Sequence, residues 1–207
     1  MHYDEKQQIL GVIKNLKDLQ YLLNLKWERT SNYKHINYKK KRLSSIWSVK
    51  STSEDEFFIR VADYLDFLQN NLSEIRKYSS GFITVRSRVK QKYSALNKLQ
   101  KYITAKENGE VAISKCLNDL LGFRCIVNSD NKYLNIFDEL ADILENDKQV
   151  RVVKSFHGDY NAIHIYIQES NYTFPWELQL WKECDESKNE TSHLTYKQEY
   201  VDNGDIY

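Results

Sequence analysis

Two carboxylates and a run of cations carry the chemistry this chain could do. Asp119 precedes Leu120-Leu121-Gly122-Phe123-Arg124, and Glu177 lies in Phe174-Pro175-Trp176-Glu177-Leu178-Gln179-Leu180. If the two acids meet in space, they can hold Mg²⁺ together with substrate phosphates, since that ion takes one or two carboxylates and leaves its remaining positions to phosphate and water. Between Arg86 and Lys101 the chain has six cations, Arg86, Arg88, Lys90, Lys92, Lys98 and Lys101, and no acid. Ser94 and Lys98 are four apart near a helix start, so they share a face. With Arg88 and Lys90 ahead of them, they suit a triphosphate cradle to which backbone N–H groups add. The glycine-rich P-loop is absent, so the nucleotide site is of another kind. Two acids beside such a cradle make a phosphoryl- or pyrophosphoryl-transfer site.

The elements that must position these residues are legible from periodicity. Ile9, Val12, Ile13, Leu16, Leu19, Leu22 and Leu23 predict an amphipathic helix over 4–25. Ser53-Glu54-Asp55-Glu56 reads as a capping box opening a helix to about Tyr78. A β-rich run follows at 82–87, then a helix from about Tyr93. Val111, Ile113, Cys116, Leu117 and Leu120 recur at helical spacing, which puts Asp119 in a last helical turn with Gly122 as its C-cap. That end of a helix disfavours an anion by roughly 0.3–1 kcal/mol. A strand at 122–128, a helix at 131–146 and strands at 149–156, 161–168 and 174–180 come next. The last three have short connections, which predicts antiparallel pairing. In the strand at 174–180, Glu177 and Gln179 share one face while Trp176, Leu178 and Leu180 share the other. From Trp181 the chain is acidic and helical in character. The expected fold class is α+β: a mixed sheet of about five strands flanked by helices. The expected organisation is an N-terminal helical region over 1–78 and a core over 79–207.

The chain of 207 residues has a formal net charge of +1, so the distribution of charge says more than its sum. Residues 26–50 hold Lys26, Arg29, Lys34, Lys39, Lys40, Lys41, Arg42 and Lys50 against one acid, Glu28. Trp27, Tyr33, His35, Tyr38 and Trp47 are interleaved with them, a mixture that suits phosphates and stacked bases but also an ordinary solvated face. Three cysteines without a C-x-x-C pair suggest a reducing compartment and no structural zinc. The polar N-terminus lacks a signal-peptide layout, and no apolar run approaches the ~18 residues of a membrane span. The expectation is a cytoplasmic protein with no membrane or DNA partner.

Four motifs in order, over roughly residues 80–200, resemble the synthetase domain of the RelA/SpoT family: Arg88-x-Lys90-x-x-x-Ser94-x-x-x-Lys98-Leu99, Asp119-Leu-Leu-Gly122-Phe-Arg124, Tyr160-x-x-x-His164 and Glu177-Leu-Gln179. The resemblance implies a nucleotidyltransferase-like fold and transfer of the β,γ-pyrophosphate of ATP to a ribose 3′-hydroxyl. It implies that Arg88 and Arg124 sandwich the adenine and that Lys90, Ser94 and Lys98 hold the phosphates. Asp119 and Glu177 would bind Mg²⁺, with Glu177 also helping to deprotonate the acceptor. Tyr160 would stack on the acceptor base, with His164, Gln179 and His193 lining that side and Tyr196-Lys197 resembling the family's following pair.

The acceptor half departs from the family pattern. Gly158-Asp159-Tyr160-Asn161 stands where G-Y-R is usual, and Trp181-Lys182 stand where an arginine and a threonine are usual. The departures resemble the toxic branch of small synthetases. They imply a translation-inhibiting toxin that modifies the 3′ CCA end of tRNA and is neutralised by a protein antitoxin. The tRNA would be bound by Lys34, Lys39, Lys40, Lys41 and Arg42. The other reading is a small alarmone synthetase making (p)ppGpp or (p)ppApp.

Overall fold

A computed structural model describes residues 2–46, 52–79, 85–104, 107–128, 133–158 and 160–192. His193, Tyr196, Lys197, Asp159, Trp47, Lys50 and the strand positions 82–84 lie outside these, as does the side chain of the expected N-cap, Ser53. The helices are α1 (His2–Thr30), α2 (Thr52–Asn70), α3 (Leu72–Ser79), α4 (Lys92–Thr104), α5 (Ile113–Cys116) and α6 (Tyr133–Leu144). The strands are β1 (Val85–Val89), β2 (Leu121–Val127), β3 (Val150–His157), β4 (Tyr160–Ile167) and β5 (Trp176–Lys182). Residues 186–192 are helical again.

The five strands form one mixed sheet in the order β1-β2-β5-β4-β3. The pairing of β3 with β4 and of β4 with β5 is antiparallel, as the short connections require, while β2 and β5 run parallel. This is the α+β fold with a mixed five-stranded sheet that the periodicity predicts. One face of the sheet is apolar and carries Phe123, Cys125, Ile163, Ile165, Trp176, Leu178 and Leu180, all buried. The helices cover that face. The apolar stripe of α1 (Ile9, Val12, Ile13, Leu16, Leu19, Leu23) is buried, and so is that of α2 (Phe57, Val61, Tyr64, Leu65, Leu68). A single cluster of buried side chains runs from Ile9 to Leu180, so the N-terminal helices share one core with the sheet.

Polar contacts register the helices on that core. Gln20 of α1 donates to the carbonyls of Ile167 (3.1 Å) and Phe174 (3.2 Å) and accepts from the N–H of Glu169 (2.8 Å). It thereby satisfies three backbone groups at the β4–β5 connection, which burial would otherwise leave orphaned. Trp176 donates its indole N–H to the Tyr64 hydroxyl of α2 at 3.0 Å. The helix expected to run unbroken to Tyr78 is interrupted at Asn71. There the side-chain amide donates to the Phe67 carbonyl at 2.6 Å and competes with the backbone ladder.

The larger correction concerns Asp119. The expected helix ending there is a single turn, α5, that stops at Cys116, and Asp119 follows in a bent, non-helical connection. Gly122 is not a helix cap; it sits inside β2, paired with Arg88 of β1 and Glu177 of β5. No helix dipole opposes the Asp119 charge. The apolar residues 111–120 are buried because the basic loop lies against them: Ile113 N–H bonds Lys41 O (3.0 Å), Ser114 N–H bonds Tyr38 O (2.9 Å) and Leu43 N–H bonds Val111 O (3.1 Å).

Candidate active site

The register of the sheet collects the polar residues on its second face. One row across the strands reads Arg88, Gly122, Glu177, Tyr166, Arg151, and the next reads Arg86, Arg124, Gln179, His164, Val153. Residues from β1, β2, β4 and β5, distant in sequence, thus become neighbours. A Cβ at Gly122 would meet only the Arg88 carbonyl, at 3.9 Å, so the space between Arg88 and Glu177 is open.

Asp119 stands at the entrance to β2, gripped by two ammoniums. Lys90 N–H continues the β1–β2 ladder to Leu120 O (2.9 Å), and its Nζ reaches Asp119 Oδ2 at 2.6 Å. Lys98, from the second turn of α4, reaches Asp119 Oδ1 at 3.0 Å and Asn118 Oδ1 at 3.1 Å. The side chains are 24 % exposed for Asp119 and 13 % for each lysine, so these contacts are shielded from water. Burial opposes the Asp119 charge, but Lys98 and Lys90 outweigh it and hold the carboxyl well below the usual carboxylate range. Burial likewise opposes the Lys98 charge, and Asp119 reverses that, lifting the ammonium above its ordinary value. Ser94 is half-buried one turn before Lys98 on α4, and Arg88 is exposed on β1.

Glu177 is buried and bonded on both oxygens. Oε1 lies 2.9 Å from His164 Nδ1, and Oε2 accepts from Gln179 Nε2 at 2.8 Å. Burial raises its pKa, but the hydrogen bond and charge of His164 win and the net shift is downward. An ionised carboxylate only accepts, so Nδ1–H of His164 donates to it. The other ring nitrogen of His164 is 2.9 Å from the Tyr160 hydroxyl, and Tyr166 OH lies 3.2 Å from Nδ1. Tyr160 itself is only 8 % exposed, edge-on to both His164 and Trp181. Burial and the Glu177 charge push its hydroxyl above the usual range.

The charge of Asp119 is felt at Glu177, where it opposes ionisation. Among the described residues no group of three or more His, Cys, Asp or Glu side chains is placed to hold a metal. Two ionised carboxylates do fit an octahedral Mg²⁺ whose other ligands are phosphate oxygens and water. Chemically, the face offers cations for phosphates, two charged carboxylates and a hydrogen-bonded base.

The structure brings Arg88, Lys90, Lys98, Asp119, Arg124, Tyr160, His164, Glu177 and Gln179 onto this face and its rim, with Ser94 one turn before Lys98 on α4. Lys34, Lys39, Lys40, Lys41 and Arg42 are exposed on the loop that lies against residues 109–114. Sequence reasoning missed Glu186 and Glu190. They lie one helical turn apart in the last helical segment and pair with Arg86 (3.0 Å) and Arg124 (2.5 Å), and their i,i+4 spacing is the one signal that matched.

Comparison with known proteins bears on what this face does. The family model described as "Region found in RelA / SpoT proteins" matches residues 87–200, more than half of the chain. No curated protein sequence matches it. Among solved structures, small alarmone synthetase 1 from Bacillus subtilis is 18% identical, with 72% of this chain and 82% of that one covered and a TM-score of 0.39. Small alarmone synthetase 2 from the same organism is 21% identical, with 74% and 83% covered and a TM-score of 0.37. Synthetase 1 bound to AMPCPP is 17% identical, with 76% and 83% covered and a TM-score of 0.34. Among the described residues no helix is long and apolar enough to cross a membrane. The matched region contains Arg88, Lys90, Lys98, Asp119, Arg124 and Glu177, and the chain belongs to the RelA/SpoT family, as a pyrophosphokinase of that type.

Proposed function

We propose that the chain transfers the β,γ-pyrophosphate of ATP to the ribose 3′-hydroxyl at the CCA end of tRNA, and that it is the translation-inhibiting toxin of a toxin–antitoxin pair. The observation that carries this reading is the cationic loop. Lys39, Lys40, Lys41 and Arg42 are all exposed, and backbone bonds tie their loop to the segment that leads into Asp119. A fixed row of cations beside the donor end suits an acceptor that brings many phosphates of its own. Tyr160, buried at its rim, offers a free mononucleotide little open ring to stack on.

In this reading Arg88 and Arg124 flank the adenine, and Lys90, Ser94 and Lys98 take the phosphates. As phosphate oxygens replace Asp119 as partners of Lys90 and Lys98, that carboxylate is released from its ion pairs. Asp119 and Glu177 are the residues that would hold Mg²⁺, which supplies Lewis-acid polarisation of the phosphoryl oxygens when bound. Glu177, kept ionised and oriented by His164 and Gln179, accepts the proton of the 3′-hydroxyl as that hydroxyl's oxygen bonds the β-phosphorus and AMP leaves. Tyr160, His164 and Gln179 line the acceptor side. Blocking the CCA end stops aminoacylation, and a protein antitoxin would keep the enzyme silent.

A second reading, synthesis of (p)ppGpp or (p)ppApp, is favoured by one observation: an aromatic ring, Tyr160, stays within a hydrogen bond of the Glu177–His164 pair. Labelled ATP offered with GDP, GTP, no acceptor or deacylated tRNA separates the two. The expected product is labelled tRNA. Changing Lys39, Lys40, Lys41 and Arg42 together to Glu should remove that product, leave ATP binding intact and flatten the salt dependence of tRNA binding by about one unit of slope per lost phosphate contact. Normal tRNA labelling by that variant, or labelling of GDP alone by the parent, overturns the tRNA reading.

A further inference from the structure

Arg124 is held on two sides before any nucleotide arrives. Its guanidinium carbon lies 3.3 Å from the centroid of the Trp181 ring, which is fully buried on the same face of the sheet, one strand over. One edge of the guanidinium donates from Nη1 to Glu190 Oε1 at 2.5 Å. Glu190 in turn is not free to wander. Asn189, fully buried beside it, accepts from Asn161 N–H at 2.9 Å and donates to Asn161 O at 2.8 Å, a two-bond clasp on the start of β4. Glu186, one turn earlier, pairs with Arg86 at 3.0 Å. The helical segment 186–192 is therefore fastened at three points to the polar face of the sheet.

A guanidinium is planar, and its two faces and its edges do different work. Trp181 occupies one face of Arg124 and Glu190 an edge, and the side chain is still 20 % exposed, so a flat partner would have to take the opposite face. An arginine fixed in this way has already lost the rotamer freedom that stacking on a ligand would otherwise cost. We propose that Trp181 and Glu190 are positioning residues that hold the Arg124 guanidinium flat as the back wall of the donor-purine slot, so that the segment 186–192 sets ATP affinity without touching ATP. This inference rests on Arg124 being an adenine contact. It assigns a role to the tryptophan that stands where the family usually has arginine, and to a segment outside the four motifs.

The test is calorimetric binding of AMPCPP to the full chain. Glu190→Gln removes the charge of a half-exposed side chain and leaves the core untouched; it should weaken AMPCPP about fivefold, while Trp181→Leu should weaken it about tenfold, the range expected for a lost stacking partner. In steady-state assays both variants should raise KM for ATP and leave kcat at saturating ATP within about twofold, the split expected of uniform binding. Trp181→Phe should restore part of the affinity. On an Arg124→Ala background, Glu190→Gln should have no further effect. If Arg124→Ala weakens AMPCPP while Glu190→Gln and Trp181→Leu bind it normally, the positioning role is overturned and the donor site stands. If Arg124→Ala binds normally, the assignment of Arg124 fails and the inference with it. Tighter binding by Glu190→Gln would make Glu190 a competitor of the nucleotide and overturn the proposal. Should Trp181→Leu lose its native circular dichroism, the Glu190 arm decides alone.

Discussion

Replacing Asp119 by Asn removes one charge and almost no volume, and the structure says what that charge does. It compensates two ammoniums, at 2.6 and 3.0 Å, in a site where each lysine side chain is 13 % exposed. Breaking a fully buried pair costs about 3–5 kcal/mol; the quarter exposure of Asp119 and the remaining amide oxygen reduce this to roughly 2–3 kcal/mol. For a chain of 207 residues, about 2–4 °C per kcal/mol gives a fall in Tm of roughly 5–10 °C. The loss should depend on pH with a defined sign. The folded carboxyl titrates below its unfolded value, so its stabilisation is complete above about pH 4 and is lost as pH falls through the depressed folded value. Parent and variant should therefore differ most near neutrality and converge in strong acid. Activity should fall about a thousandfold or more, the equivalent of several kcal/mol of transition-state stabilisation. If Lys90 and Lys98 take the ATP phosphates as proposed, metal-free ATP should bind the variant more tightly than the parent, because the carboxylate that competes for them is gone. Thermal melts across pH, calorimetry with ATP in chelator and transfer of labelled pyrophosphate measure the three effects. An unchanged melt, or transfer within tenfold of the parent, refutes the reasoning.

Under the proposed donor role of Arg88, Arg88→Ala should raise KM for ATP with every acceptor; an unchanged KM with a shifted acceptor preference would reverse the two halves. Tyr160→Ala should abolish transfer, whereas Tyr160→Phe, which keeps the ring and loses the hydroxyl that bonds His164, should retain activity within about tenfold, the order of a lost hydrogen bond. Equal inactivity of the two would assign the work to the hydroxyl. Alkylation of the native protein should modify Cys184, which is exposed, and spare Cys116 and Cys125, which are buried. Burial pushes the Cys125 thiol up to about 12, leaving almost no thiolate at pH 8. Unfolding should expose all three thiols, and rapid labelling of Cys125 in the native state would contradict the packing of β2.

Elements with a long, clean period were legible: α1, α4 and α6 and the three antiparallel strands follow from spacing alone. Residues 111–120 misled because burial, and not helix, spaces their apolar side chains. A loop enclosed by the backbone of Tyr38 and Lys41 produces the same pattern. The residue types of the site could be named one by one, because a cation-rich, acid-free stretch and a Glu on a polar strand face are local features. Their grouping could not. The parallel pairing of Gly122 with Glu177 joins segments more than fifty residues apart, and nothing in either segment names the other. For the same reason the clasp of Glu190 on Arg124 had no sequence signal beyond two acids four apart.

The strand order β1-β2-β5-β4-β3 also fixes when the site can exist. The sheet's middle strand is the last of the five to be made. Until Trp176–Lys182 emerge, β2 and β4 have no partner between them, and Asp119 has no Glu177 to face. Segments so far apart in sequence close slowly, because loop entropy is lost before their contacts form. Translation proceeds at about 5–20 residues per second, so cations and carboxylates already synthesised spend seconds as separate, inert pieces. A nascent chain halted anywhere before β5 therefore carries every cation of the donor stretch but no closed sheet, and its site waits on the last strand.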